Sequence, residues 1–308
     1  MNFITIFFYF NLIEKTKMYK LYILISFFII LFINLVEFKN FLKNFYFFQL
    51  KLHKKEKYLN IYIVTHKDFN NKLTNSYYKI LCDDCSNLDW NYNIDLISSN
   101  YDNELYMKKI GYCEGSKIYY IWKNYKNNKI NTKYVGFNHY RRIFSFLDEI
   151  PNLDKIFQEY DVILIERFFF YDKSIKEQYY ENHIGENLDQ IIQIIKENFT
   201  NYYLASLKTM NMTFGHFCNI FIMKKEDFIE YGNFVFGVLF EFDRRNKLKN
   251  DDDIKNFIKK LLIKRNSNNI EKTIKYQRRL EGFLLERLTN VFYNFKFKNK
   301  YEINVIKP

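Results

Sequence analysis

What most limits the fold of this 308-residue chain is one short apolar run, Tyr134-Val135-Gly136-Phe137-Asn138, that ends in His139-Tyr140-Arg141-Arg142. Such a run reads as a buried strand, and charge collects where the strand ends. In open α/β sheets, ligands bind at the carboxyl ends of strands, where loops are free to present side chains. Two adjacent arginines at that place suit an anion, because a guanidinium stays charged and offers a planar fork that matches phosphate oxygens. Taken alone, the same residues also fit a surface arginine pair beside a core strand.

The rest of the chain supplies partners for this strand. Ile61 to Val64 reads as a first buried strand with Thr65-His66-Lys67 at its exit, and Tyr160 to Arg167 as another. Ile110, Cys113, Ile118, Ile121, Trp122 and Tyr125 fit one helix from Ile110 to Tyr125 with a buried face, which puts Glu114 close to that face. Further helices follow from the stripe Leu188, Ile191, Ile192, Ile195 and Phe199, from Glu226 to Phe242, and from Tyr276 to Tyr293. Phe217 to Met223 reads as a strand, and Phe295 to Val305 as a last one. Strands interleaved with helices predict an α/β domain.

The first 50 residues are a different material. Leu21 to Val36 has no charged residue and, with Tyr19 and Phe38 at its margins, approaches the length that spans a bilayer. It is apolar all round, and no small-residue cleavage site follows it. The expected division is a tail at 1–18, a transmembrane helix at 19–38, a basic, aromatic stem at 39–58 and a globular domain at 59–308. Lys15, Lys17 and Lys20 precede the span, against Lys39 and Lys43 after it. That balance predicts a single-pass, type II membrane protein with its domain on the non-cytoplasmic side, in Golgi or endoplasmic reticulum if the source is eukaryotic.

A net charge of +12 would ordinarily suggest nucleic acid as a partner. Here the basic residues are dispersed and accompany no nucleic-acid-binding motif, so no nucleic acid is expected. Heavy use of Lys, Asn, Ile, Tyr and Phe, beside a single alanine and two prolines, reads as codon bias. Cys82-Asp83-Asp84-Cys85 has no second such pair, which leaves a local disulfide or free thiols rather than a closed zinc site. Asp251-Asp252-Asp253 is a literal DxD, but it sits in a Lys/Asn-rich loop, not after a buried strand where carboxylates could hold a cation against a diphosphate.

Gly136 to Phe144 resembles the GLCHYRRYF signature of a domain-of-unknown-function family of capsular-polysaccharide and exopolysaccharide glycosyltransferases, grouped with GT-A folds. Four further stretches match in the same order: Ile61 to Lys67 resembles the opening strand and THK turn, and Tyr112-Cys113-Glu114 with Tyr119 to Asn124 resembles YCELTalYWaWKN. Phe217 to Lys225 resembles the NMFIMkk strand, and Arg279 to Leu288 the RxxGFLxERL helix. The resemblance covers about Leu59 to Tyr293. Gly115-Ser116-Lys117 and Phe137-Asn138 depart from the pattern, as does Tyr101 to Leu105, where the family has an acidic GDNIS-type stretch.

The resemblance implies a GT-A-like, Rossmann-like mixed sheet flanked by helices, and transfer of a sugar from a nucleotide-diphosphate donor, a UDP-sugar, to a glycan acceptor. It places Arg141, Arg142 and His139 at the diphosphate, doing the work a metal does in most GT-A enzymes, with Glu286 as first candidate for a base. Thr65, His66, Lys67, Glu114, Tyr140 and Asn219 are the expected donor contacts, and His183, His216 and Glu281 the expected acceptor contacts. Glu281 also stands second to Glu286 as the base. No cofactor is expected, although Mn or Mg stays open. The alternative is a membrane-tethered sugar-binding protein without turnover, with Tyr119, Tyr120 and Trp122 as a stacking surface.

Overall fold

A computed structural model describes residues 57–66, 77–82, 96–97, 104–146, 150–265 and 270–306. The expected tail, membrane helix and most of the stem fall outside these residues, as does Lys67. Among the described residues no helix is long and apolar enough to cross a membrane. The first strand begins at Lys57, ahead of the expected domain boundary at 59.

The strands are β1 (Lys57–Thr65), β2 (Tyr78–Cys82), β3 (Leu96–Ile97), β4 (Thr132–His139), β5 (Ile143–Phe144), β6 (Val162–Ile165), β7 (Phe168–Phe169), β8 (Phe214–Gly215), β9 (Phe221–Lys224), β10 (Lys300–Ile303) and β11 (Val305–Ile306). Seven of them form one sheet in the order β10-β6-β9-β4-β1-β2-β3. All run parallel except β9, which enters antiparallel between β4 and β6. The carboxyl ends of β1, β4 and β6 therefore share one edge with the chain entering β9. Short pairs β5–β11 and β7–β8 flank the sheet.

Alternation along the strands sends side chains to two cores. Leu59, Ile61, Ile63, Ile163, Ile165, Ile220 and Ile222 pack on one face with Leu153 and Phe157 of the Leu153–Glu159 helix. Tyr62, Val64, Val135, Phe137, Val162, Leu164, Phe221 and Met223 pack on the other, under the long helices Lys225–Asn246 and Leu280–Lys296. With both faces covered, the strands read as apolar runs rather than as alternating ones. Cys82 is disulfide-bonded, and Cys113 and Cys218 are free.

Several elements differ from their sequence patterns: the strand expected from Phe217 begins only at Phe221, and the one expected from Phe295 only at Lys300. The helix expected from Ile110 to Tyr125 is broken into Lys109–Tyr112 and Gly115–Lys126, because Cys113 takes a left-handed φ of 52°. Tyr276 to Tyr293 is likewise two helices, Ile270–Gln277 and Leu280–Lys296, with Arg278 and Arg279 at the break. Asp251 to Asp253 forms not a loop but the first turn of the helix Asp251–Lys264, where carboxylates face the positive end of the helix dipole. Asn250 caps it by accepting from the Asp253 N–H at 2.9 Å.

The sharpest packing constraint lies between two helices. A Cβ at Gly232 would come within 2.0 Å of Trp122, whose indole N–H donates to the Ile229 carbonyl at 3.0 Å. Gly232→Ala must push Trp122 out of this seat, and we expect it to destabilise the domain by about 1–3 kcal/mol. Urea unfolding followed by tryptophan fluorescence measures this, and an unchanged midpoint would mean that the helices can part without cost.

Candidate functional site

The ends of β1 and β4 meet where Val64 pairs with His139, and the next N–H, that of Tyr140, donates to the Val64 carbonyl at 3.1 Å. The chain then reverses: the Arg142 N–H donates to the His139 carbonyl at 2.7 Å, and the His139 N–H to the Arg142 carbonyl at 3.2 Å. This turn leaves Arg141 exposed, with its guanidinium 5.4 Å from the Tyr140 ring centroid. His66 meets the same ring edge-on at 5.1 Å, and His139 lies against it at 4.4 Å. Tyr140 is thus the buried post on which Arg141 and the two imidazoles lean.

A cleft of about 500 Å³ opens at this edge. Thr65, His66, His139, Tyr140 and Arg141 line it from the strand ends, and Lys109, Lys117 and Arg279 from the helices opposite. Among the described residues Glu114 is the one carboxylate that lines it. The Arg141 N–H donates to His139 Nδ1 at 3.2 Å, so that nitrogen is the acceptor and the ring proton sits on Nε2. Burial, then Arg141 and Arg142, lower the His139 pKa to about 4, in keeping with a neutral imidazole that donates from Nε2.

The broken helix explains how Glu114 arrives. The kink at Cys113 lets Glu114 lead the Gly115–Lys126 helix and turn its carboxylate into the site, where it accepts from Asn219 Nδ2 at 3.1 Å. Asn219 Oδ1 in turn accepts from the Thr289 hydroxyl at 3.0 Å. With that proton committed, the Tyr231 hydroxyl, 3.0 Å from Thr289 Oγ1, is the donor in the last link. Burial, then the charge of Glu286, push Glu114 above the ordinary carboxylate range.

Glu286 approaches from the Leu280–Lys296 helix. Its Oε1 accepts the Cys218 N–H at 3.0 Å, and Oε2 pairs with Arg287 at 3.1 Å. Cys218 and Asn219 both hold positive φ, 69° and 50°, which fixes the loop entering β9 in a conformation that L residues rarely adopt. Arg142 turns back to this loop, its Nη1 3.2 Å from Cys218 Sγ, and Arg279 Nε lies 3.1 Å from Cys113 Sγ. Each free thiol therefore braces an arginine.

The expected acceptor residues do not gather here. Glu281 is fully buried beside Asp243, which pairs with Lys108 and accepts from the Tyr112 hydroxyl at 2.7 Å. Only because residue 111 is glycine is there room for the Glu281 carboxylate, which would lie 2.4 Å from a Cβ there. Burial and the Asp243 charge hold Glu281 well above the usual carboxylate range. His183 is enclosed by Phe283, Tyr179 and Tyr276 at ring distances of 3.9, 4.7 and 5.8 Å. His216 lines a separate cavity on the face of β10. Arg279, Lys109 and Lys117 also line the cleft; Arg279 opens the RxxGFLxERL-like stretch and Lys117 ends the Gly115-Ser116-Lys117 departure, but no spacing in the sequence marks either lysine for an anion. Among the described residues no three His, Cys, Asp or Glu side chains converge as metal ligands.

Residues 60–263 match a family described as a domain of unknown function, DUF4422. No curated protein matches the chain. A solved structure described as the apo form of WbbM, a bifunctional glycosyltransferase, is 20% identical with a TM-score of 0.59, over 81% of this chain and 45% of that one. The likeness is one of fold, a mixed sheet flanked by helices, and this chain spans less than half the length of that structure.

His183 carries a pH signature. Burial, then Arg287, lower its pKa from the ordinary 6.5 to about 3. The folded state binds this proton less readily than the unfolded one, so the stability it confers is complete above pH 6.5 and is lost as pH falls toward 3. Between pH 6 and 4 we expect unfolding free energy to fall with a slope that His183→Phe reduces by about 1.4 kcal/mol per pH unit, one proton's worth. Urea midpoints across that range test this; an unaltered slope in the variant would remove His183 from the acid transition.

Proposed function

The chain belongs to the DUF4422 family, and from that membership, its glycosyltransferase-like fold and the cationic cleft we propose that it is a glycosyltransferase. It moves a sugar, a hexose, from a nucleotide-diphosphate donor, a UDP-sugar, to a glycan acceptor. The observation that carries this reading is the convergence of Arg141, Arg279, Lys109 and Lys117 on one cleft at the carboxyl ends of β1 and β4. A nucleotide diphosphate leaves with negative charge, and donors aimed at that charge before it develops lower the barrier most.

In this reading Arg141 and Arg279 receive the diphosphate, with His139 donating from Nε2. Arg142 holds the Cys218–Asn219 loop in place, so it acts on the same charge from behind. Thr65, His66 and Lys67, at the exit of β1, meet the base and ribose, and Tyr140 supports them. Glu114 and Asn219, joined at 3.1 Å, hold a hydroxyl of the donor sugar. Glu286, about one-fifth exposed, accepts the proton of the incoming hydroxyl if the transfer inverts. The segment at 19–38, with its uncharged run from Leu21 to Val36, anchors the protein in a membrane, with the domain on the non-cytoplasmic side.

The test is nucleotide release by the full chain in detergent, over a panel of UDP-, GDP- and CMP-sugars, with and without EDTA. Release from a UDP-sugar is expected to survive EDTA and to fall by about 10²–10³ in Arg141→Ala/Arg142→Ala. Glu286→Gln should keep donor binding while losing transfer to acceptor. Release abolished by EDTA would sink the assignment of the metal's work to arginine. Donor binding with no release would leave a sugar-binding protein without turnover.

A further inference from the structure

A second cavity, about 690 Å³, lies against the face of the edge strand β10 and shares no lining residue with the first cleft. The two-residue period of a strand puts Lys300 and Glu302 on the same face. Asp161 fixes the approach to this strand, accepting the N–H groups of Lys298 and Asn299 at 2.9 and 3.0 Å. Lys208 and Arg167 complete the cationic lining, in which Glu302 is the only carboxylate among the described residues. Arg167 already grips Glu302 with two hydrogen bonds and lies 4.9 Å from the Phe214 ring centroid. The lysines are therefore left in excess over acidic groups.

The informative residue is His216, 6% exposed. Its Nδ1 lies 2.8 Å from the Ile165 carbonyl and so carries the proton, which makes Nε2 of the neutral ring an acceptor. That Nε2 sits 3.6 Å from Glu302 Oε1, beyond hydrogen-bond length. Two acceptors face one another across a gap in the wall of a cavity. One hydroxyl can donate its proton to the nitrogen, and a neighbouring hydroxyl can donate to the carboxylate. Burial also lowers the His216 pKa, which keeps the ring neutral.

We propose that this cavity binds acidic carbohydrate, with His216 and Glu302 accepting sugar hydroxyls and Lys208, Lys298 and Lys300 meeting a carboxylate of the chain. Its volume suits one or two sugar rings, and Tyr160 is among the residues of its walls. The site would hold a polymer at a distance from the first cleft, and its occupancy is independent of turnover there.

The experiment is calorimetric titration of the full chain in detergent with tetragalacturonic acid and with the same tetramer after carboxyl reduction. The acidic tetramer should bind saturably and the reduced one at least tenfold more weakly. Lys298→Ala/Lys300→Ala, both outside the packed core, should weaken binding at least tenfold with an unchanged melting temperature. His216→Phe, which fills the space without an acceptor, should weaken both tetramers. Arg141→Ala/Arg142→Ala should leave the affinity unchanged, which separates this site from the transferase reading. Absence of saturable binding, or equal binding by the lysine variant, would overturn the proposal. So would displacement by inorganic phosphate or oligothymidylate at equal charge concentration, since either would make the cavity a general anion site.

Discussion

A carboxylate taken partly out of water must be given partners, and the way Glu114 obtains them holds the candidate site together. Asn219, Thr289 and Tyr231 form a single file of hydrogen bonds behind it. Each comes from a different segment: the loop into β9, the helix Leu280–Lys296 and the helix Lys225–Asn246. Since every proton in the file is committed, its polarity is fixed, and none of the members can rotate without orphaning a neighbour. The geometry of the cleft thus rests on a polar relay anchored in the apolar core.

The charges around that relay are unequal. Lys109, Lys117, Arg141 and Arg279 face one carboxylate in the cleft, while Glu286 is engaged by Arg287 and by a backbone N–H. Among the described residues the lining is cationic on balance, and such a field draws anions toward it. His139 escapes adding to the repulsion by staying neutral. The two free thiols contribute without charge as well, since burial holds both Cys113 and Cys218 at about 12.

Much of this was legible from residues alone. Strand runs such as Ile61–Val64 and Val162–Ile165 are evident because burial on both faces removes alternation, and the arginine turn is evident because charge follows such a run. The break at Cys113 was not legible, since a single residue at positive φ leaves the apolar spacing on either side intact. Nor was the segregation of His183, His216 and Glu281, whose sequence neighbourhoods resemble those of cleft residues. What separates them is the aromatic enclosure of His183, the glycine that admits Glu281 and the edge-strand cavity of His216. These are distances across the fold, and no local pattern encodes them. Lys109 and Lys117 were invisible for the same reason in a chain with 47 basic residues.

The reversed strand β9 has a consequence for how such a site is held in place. In an all-parallel sheet, every segment reaching the carboxyl edge has just left a strand. Here one segment, His216 to Ile220, arrives at that edge on its way in. Its register is set from downstream, because β9 is held by β4 and β6 through its own residues. A backward strand in the middle of the sheet therefore delivers to the carboxyl edge a segment answerable to several elements at once, since Asn219 is joined to Glu114 and Thr289, and Cys218 to Glu286 and Arg142.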